Sequence, residues 1–160
     1  MSYKEFRKDL RSSMFNNVVM LTGKENFLVH WAVNQLKKKY GGKEFQAQNV
    51  HEFDGAQADI DEVIGMARTP SMFPGHRVLI VRNYPWLFQK KGKEELKEFQ
   101  EGAGARLLEY AAGADHSEYA SMIIMTVDAQ YYKDSSPRNC GLTAYGKKLL
   151  QKSSGYEMNT

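Results

Sequence analysis

The sequence lacks the features that mark exported and membrane proteins. One cysteine, Cys140, is present among 160 residues, so no internal disulfide can form and a reducing compartment is expected. No apolar run approaches the roughly 20 residues that a membrane-spanning helix requires. The polar segment 1–13 contains no signal-peptide hydrophobic region. We therefore predict a cytoplasmic protein with no membrane partner.

Motifs for metal binding and nucleophilic catalysis are also missing. The histidines at positions 30, 51, 76 and 116 are scattered, with no H-x-x-x-H spacing and no paired cysteines, so no metal site is predicted. There is no G-x-S-x-G nucleophile elbow. Cys140 has no histidine nearby in the sequence that would activate its thiol. We predict no catalytic residue, no metal and no cofactor.

The charge balance is mildly basic, with a formal net charge of +3 and a pI near 8.9. Lysines cluster within residues 37–43, 90–93 and 147–148. Solvated helix ends and loops explain these clusters as well as phosphate contact does. The sequence therefore permits a weak contact with DNA but does not require one.

Short apolar runs alternate with helical patterns along the chain, which predicts an α/β domain with a mostly parallel sheet of about five strands flanked by helices. The first strand, "NVVMLTG", is apolar without alternation, as expected for a strand that is covered on both faces. The further predicted strands are "QNVHEFDG", "HRVLIVRNY", "ASMIIMTVDA" and "GYEMN". Predicted helices cover 2–13, a segment from near Gly23 to Tyr40, a segment from Asp59 to before Pro70, 91–114 with a break near Gly102 and Gly104, and 143–152.

Local signals refine the helix starts and the last long loop. Thr22 and Glu25 have the spacing of a capping box, which would start the second helix close to Gly23. Asp59, followed three residues later by Glu62, predicts a cap for the third helix. Residues 130–142, rich in Ser, Pro, Asn and Gly, are predicted to form a loop.

The turn after the first strand lies where a phosphate-binding loop would be expected. That loop needs G-x-x-x-x-G-K-[ST], because the glycines admit phosphate to backbone N–H groups and the lysine neutralises it. Here Gly23 is present, but Leu28 and Val29 stand roughly where Gly-Lys is required, and Glu25 adds a negative charge. Lys24 follows the glycine too closely to replace the missing lysine. We predict that this turn does not hold ATP tightly.

The acidic partner of a phosphate loop is not found at the end of the third predicted strand. There the apolar run "VLIV" is followed by Arg82 and Asn83, which do not hold Mg²⁺. The fourth strand ends near Asp128. Without a phosphate cradle, Asp128 is interpreted as a turn residue at the end of a strand.

One segment, "RTPSMFPGHR", places two large apolar side chains, Met72 and Phe73, between turn formers. The two side chains either tuck under the preceding helix or are presented to solvent as a contact for a partner. Adjacent large side chains on a tight turn do not easily both point inward. Burying each on a partner would contribute roughly 1.5–3 kcal/mol, enough to anchor a complex. The sequence leaves both alternatives open.

Several segments together resemble the delta subunit of bacterial DNA polymerase III over essentially the whole chain. The clearest are "LTGKENFL", "EFDG" and the F-x-x-x-R plus apolar strand of "MFPGHRVLIVRN", with "MIIMTVDA" and "YGKKLLQKSSGYEM" further on. The resemblance implies a three-layer, P-loop NTPase-like (AAA+) N-terminal domain over residues 1–160. It also implies a degenerate ATP site, and therefore a non-catalytic component of the polymerase holoenzyme.

The resemblance further implies a partner and a binding site. Delta subunits bind the ring-shaped sliding clamp, the beta subunit, and open one of its interfaces by inserting an adjacent hydrophobic pair from the segment before the third strand. In this sequence the pair matches Met72 and Phe73, and Ser71, Pro74 and His76 form the expected rim. The family's pair is generally Leu-Phe or Phe-Phe, so Met72 differs, although Met adapts well to apolar pockets.

The family's small helical domain and C-terminal collar have no counterpart in residues 1–160. Contacts with other clamp-loader subunits are therefore expected outside this chain, and the isolated domain is expected to be monomeric. Two alternative functions stay open. One is a divergent P-loop phosphotransferase with an anion site at Gly23 and Lys24, and the other is a DNA-binding module that uses the lysine clusters.

Overall fold

The computed structural model describes residues 2–113, 121–132 and 141–158. Its five strands form one sheet with the spatial order β2-β3-β4-β1-β5, and all four neighbouring pairs are parallel. The strands are β1 (Val18–Thr22), β2 (Val50–Asp54), β3 (Val78–Arg82), β4 (Met122–Thr126) and β5 (Ser154–Glu157). The predicted α/β fold with a five-stranded parallel sheet is confirmed.

Helices connect the strands and cover both faces of the sheet. Within the described residues they are α1 (Tyr3–Ser12), α2 (Asn26–Tyr40), α3 (Gln46–Asn49), α4 (Ile60–Ala67), α5 (Lys93–Glu101), α6 (Ala103–Ala112), α7 (Ala129–Tyr132) and α8 (Ala144–Lys152), with a 3-10 turn at Pro85–Leu87. None of these helices has the length and apolar character needed to cross a membrane.

The sheet separates two hydrophobic cores. Alternate residues of β1 point to opposite faces, so Met20 packs in one core and Leu21 in the other. One core is completed by α4, α5, α6 and α8, and the second by α1 and α2. Both faces of the central strands are therefore buried, which explains the continuous apolar runs in their sequences.

The predicted helix signals are largely confirmed. Asp59 caps α4, accepting a hydrogen bond from the backbone N–H of Asp61 at 3.0 Å. The apolar stripe of that helix is buried and consists of Ile60, Val63, Ile64 and Ala67. The long helical segment breaks at Gly102, which separates α5 from α6. Gly41 follows the last residue of α2 as predicted.

The predicted capping box at Thr22 is wrong. Thr22 is the last residue of β1, and its hydroxyl donates to the carbonyl oxygen of Tyr156 at 3.4 Å. Pairing with β5 extends β1 to Thr22, so this residue cannot turn the chain into a helix. α2 begins at Asn26, and Glu25 precedes it without a side-chain capping bond.

Two short helices appear where the sequence did not predict them. α3 lies directly before β2, and α7 occupies the start of the predicted loop 130–142. In α7 the ring of Tyr131 stacks on that of Phe88, with centroids 4.3 Å apart, and this tertiary contact favours the helical turn. Cys140 and His116 lie outside the described residues.

Candidate partner-binding surface

The apolar pair, Met72 and Phe73, lies on the connection between α4 and β3. Residues 71–75, here called the 71–75 loop, have no helical structure. The side chain of Met72 is 92% exposed and that of Phe73 is 42% exposed. The alternative in which both side chains tuck under the preceding helix is therefore not what the structure shows.

The predicted rim residues surround the apolar pair. Ser71 is partly exposed and Pro74 is exposed. The ring of His76 is partly buried and meets the ring of Tyr40 edge to face, with centroids 5.8 Å apart. The backbone N–H of His76 also donates to the carbonyl oxygen of Tyr40 at 2.7 Å. The structure thus brings all five sequence-predicted residues onto one connection, anchored at the end of α2.

Phe73 is supported on one side by another aromatic ring. Its ring stacks on that of Phe45, which lies just before α3, with centroids 5.4 Å apart and an interplanar angle of 29°. The stack covers one face of Phe73, and 42% of the residue's surface stays exposed. Met72 has no such support, so it projects further from the domain.

The most important residue missed by the sequence reasoning is Asn49. It is fully buried at the end of α3. Its Nδ2 donates to the carbonyl oxygens of Gly41 at 2.9 Å and Pro74 at 2.8 Å, and its Oδ1 accepts from the hydroxyl of Ser71. The only signal in the sequence is an asparagine near the start of the predicted strand "QNVHEFDG", which by itself indicates nothing about the 71–75 loop, about 25 residues away.

The turn where a phosphate loop was considered lies at the opposite edge of the sheet. Parallel strands place all their carboxyl ends on one edge, and the 71–75 loop precedes the amino end of β3. At the carboxyl edge, Oδ1 of Asn26 accepts from the backbone N–H of Ala129 at 2.7 Å. The side chains of Asn83 and Asp128 bond to each other there, and Nε2 of His30 lies 4.0 Å from Oδ1 of Asp128. Asn26, Asn83 and Oδ2 of Asp128 therefore already have hydrogen-bond partners, whereas Oδ1 of Asp128 is buried without one.

Among the described residues, no group of three or more His, Cys, Asp or Glu side chains could hold a metal ion. The perturbed pKa values of Tyr40 and Glu52 have structural causes. Burial raises the pKa of Tyr40, an effect that a hydrogen bond with Ser13 partly offsets. A hydrogen bond from Lys37 is the main cause that lowers the pKa of Glu52. Neither group indicates a catalytic centre.

The lysine clusters are partly used inside the domain. Nζ of Lys37 pairs with the carboxylate of Glu52 at 2.5 Å, and Nζ of Lys39 donates to the backbone of Leu10. Nζ of Lys91 lies 5.3 Å from the ring centroid of Trp86. Lys91 and Trp86 border a cavity of about 690 Å³, which is also lined by Lys90, Phe88 and Tyr131.

Comparison with known proteins gives a family and a fold. Residues 20–104 match the family model described as DNA polymerase III, delta subunit. Direct comparison with curated protein sequences gives no match. The fold is similar to that of the Bacillus subtilis DNA clamp loader delta protein (YqeN), with a TM-score of 0.67 and 20% sequence identity. The similarity covers 98% of this chain but 42% of the Bacillus protein.

The family match spans just over half of the chain, from within β1 to the start of α6, and includes the 71–75 loop. The structural similarity extends the same fold to nearly all of the remaining residues. The chain therefore belongs to the DNA polymerase III delta subunit family, whose members are non-catalytic clamp-loader components of DNA replication.

Proposed function

We propose that this chain is the part of a clamp-loader delta subunit that binds the sliding clamp and opens one interface of the ring. The apolar pair, Met72 and Phe73, makes the principal contact, and Ser71, Pro74 and His76 form its rim. The observation that carries the proposal is the 92% exposure of Met72 beside a partly exposed Phe73 on an anchored connection. A large apolar side chain that is this exposed gains most from burial on a partner.

The energetics of the apolar pair suit an anchor. Fully burying a Met or a Phe side chain contributes roughly 1.5–3 kcal/mol for each residue. Binding energy in protein interfaces is concentrated in a few such side chains, which fill pockets at the centre of the contact. Phe73 is rigid and already stacked on Phe45, whereas Met72 is flexible and can adapt to an irregular pocket.

Binding is tested with the immobilised sliding clamp and the 160-residue chain. We expect Met72→Ala and Phe73→Ala each to weaken binding by about tenfold or more, which corresponds to about 1.4 kcal/mol. Met14 is 69% exposed and Phe27 is 67% exposed, and both lie outside the 71–75 loop. Met14→Ala and Phe27→Ala are therefore matched controls, and both should bind like wild type.

Ring opening needs its own measurement, because tight binding alone does not separate the two clamp subunits. The clamp is closed around circular DNA, and an excess of the chain is added. We expect wild type to release the clamp from the DNA and the Met72→Ala, Phe73→Ala double variant to leave it in place.

Equal binding of the clamp by wild type and the double variant would refute the assignment of the apolar pair.

In this proposal the chain performs no ATP chemistry, because the turn after β1 lacks the glycine and lysine of a phosphate loop. ATP acts on sister subunits and controls access to the surface around the apolar pair. In this proposal, contacts with those subunits are made by domains outside residues 1–160. The protein acts in the cytoplasm. The isolated domain is a monomer. Sedimentation of the isolated chain tests the last statement.

A further inference from the structure

Asn49 joins three parts of the chain around the apolar pair. It is fully buried, and the hydrogen bonds of its side-chain amide link the end of α2 at Gly41 to both sides of the pair, at Ser71 and Pro74. The sites that it connects are far apart in the sequence but adjacent in space. One side chain therefore holds both flanks of the exposed segment against the body of the domain.

The hydrogen-bonding pattern requires an amide side chain at this position. Both Nδ2 hydrogens of Asn49 go to backbone carbonyls, and Oδ1 accepts a hydroxyl. A carboxylate has no hydrogens to donate, and an apolar side chain would leave buried carbonyl groups unpaired. Leaving buried polar groups unpaired is costly, so this arrangement strongly favours one conformation of the 71–75 loop.

Ser71 transmits this restraint to the apolar pair itself. Its hydroxyl donates to Asn49 and accepts a hydrogen bond from the backbone N–H of Phe73 at 3.1 Å. The stacking of Phe73 on Phe45, which lies four residues before Asn49, restrains the same segment through its side chain. The backbone and the ring of Phe73 are thus both held from the α3 segment.

Close packing around Asn49 explains the glycine that ends the loop. Gly75 has a φ of +108°, a conformation that residues with a side chain rarely adopt. A Cβ atom at Gly75 would lie 2.9 Å from Nδ2 of Asn49 and 3.0 Å from the carbonyl oxygen of Gly41. The chain therefore passes so close to Asn49 that no side chain fits between them.

We infer that Asn49 is a positioning residue for clamp binding, which holds the 71–75 loop in the conformation that presents Met72 and Phe73. The inference rests on the proposed function, because it concerns the same surface. Asn49 is buried and does not touch the clamp. It acts by keeping the binding-competent conformation populated before the clamp arrives.

A positioning role has a distinct kinetic consequence. When the competent conformation is only a fraction of the population, the apparent dissociation constant rises by the inverse of that fraction. We expect Asn49→Ala and Ser71→Ala each to lower the association rate constant by about fivefold or more, because each removes hydrogen bonds that bias the loop. The dissociation rate should change less, since the bound loop is also held by the clamp. Ser71→Thr keeps the hydroxyl and should restore most of the association rate.

The test measures binding kinetics of the 160-residue chain on the immobilised sliding clamp, alongside the free energy of unfolding of each variant. Asn83→Ala, at the opposite edge of the sheet, serves as a control for lost stability and should keep the wild-type association rate. Amide hydrogen exchange of Phe73 in the free chain gives a readout without clamp, and its protection should fall in Asn49→Ala and Ser71→Ala. If Asn49→Ala does not fold, Ser71→Ala carries the test.

A double-mutant cycle shows whether Asn49 acts through the apolar pair. In a Phe73→Ala background, Asn49→Ala should reduce the free energy of clamp binding by less than it does in wild type, because one of the two side chains that it positions is gone. Full additivity of the two losses would overturn the inference, as would wild-type association rates for both Asn49→Ala and Ser71→Ala. These outcomes differ from failure of the proposed function, in which Met72→Ala and Phe73→Ala themselves leave clamp binding unchanged.

Discussion

Asn83 and Asp128 exchange two hydrogen bonds across the carboxyl ends of β3 and β4. Nδ2 of Asn83 donates to Oδ2 of Asp128 at 2.9 Å, and the backbone N–H of Asp128 donates to Oδ1 of Asn83 at 2.8 Å. Asn83 has a φ of +56°, a left-handed conformation that asparagine tolerates better than most residues. The pair fixes how the chain leaves two central strands, and it agrees with the interpretation of Asp128 as a strand-end residue.

The first prediction concerns this pair. Asn83→Ala should lower the free energy of unfolding by about 1–3 kcal/mol, because it removes both hydrogen bonds and places a Cβ-bearing residue without a compensating side chain at positive φ. Asn83→Gly removes the same hydrogen bonds, but glycine adopts positive φ without strain. The free energy of unfolding should therefore fall less than in Asn83→Ala. Urea unfolding monitored by circular dichroism measures both. A change below about 0.5 kcal/mol in Asn83→Ala would contradict the importance of the pair.

The second prediction concerns nucleotide binding at the same edge of the sheet. The turn after Gly23 lacks the second glycine and the lysine of a phosphate loop, and Asn26 already accepts a hydrogen bond from Ala129. Calorimetry with ATP and Mg²⁺ at millimolar concentration should therefore show no binding heat, and Lys24→Ala should behave like wild type. A binding heat that Lys24→Ala abolishes would support the phosphotransferase alternative instead.

The third prediction compares two glycines within helices. A Cβ atom at Gly146 in α8 would lie 2.4 Å from the carbonyl oxygen of Leu87, whereas a Cβ at Gly65 in α4 has no atom within 4 Å. Gly65→Ala should raise the free energy of unfolding by up to about 1 kcal/mol through helix propensity. Gly146→Ala should lower it by about 1–3 kcal/mol, because α8 must move away from the turn at Leu87.

Thermal unfolding of both glycine variants beside wild type provides the measurement. The same chemical change is made in both helices, so propensity alone predicts the same sign for the two variants. Stabilisation by Gly146→Ala would mean that the close approach of α8 to Leu87 is not maintained in solution.

The fourth prediction concerns pH. The carboxylate of Glu52 pairs with Lys37 at 2.5 Å and lies 3.5 Å from Arg82, and the hydrogen bond from Lys37 is the main cause that lowers its pKa below the usual 4.5. A lowered folded-state pKa means that the pair stabilises the fold above about pH 4.5. That stability is lost as the pH falls through the folded-state pKa.

Glu52→Gln isolates this contribution. At pH 7 the variant should be less stable than wild type by no more than about 1 kcal/mol, because Glu52 is 44% exposed and solvent screens the pair. The difference should shrink as the pH falls below 4.5 and should also shrink in 1 M salt. A stability difference that stays constant from pH 7 to pH 3 would show that the carboxylate charge is not responsible.

Much of the fold could be predicted because local sequence and burial agree. The apolar runs of β1, β3 and β4 have no polar alternation, and strands covered on both faces require this. The break at Gly102 and the cap at Asp59 depend on residues within one helical turn. The prediction failed at Thr22, where pairing with β5, over 130 residues away in sequence, outweighed a local capping pattern.

The sequence by itself determined the α/β class, the order of the main elements and the lack of a complete phosphate-loop motif after Gly23, because each depends on residue type and short-range spacing. Only the tertiary structure decided that Met72 projects into solvent while Phe73 rests on Phe45. It also revealed Asn49, whose bonds to Gly41 and Pro74 join segments separated by 8 and 25 residues. Such contacts form only after the sheet has brought distant segments together, and no local pattern encodes them.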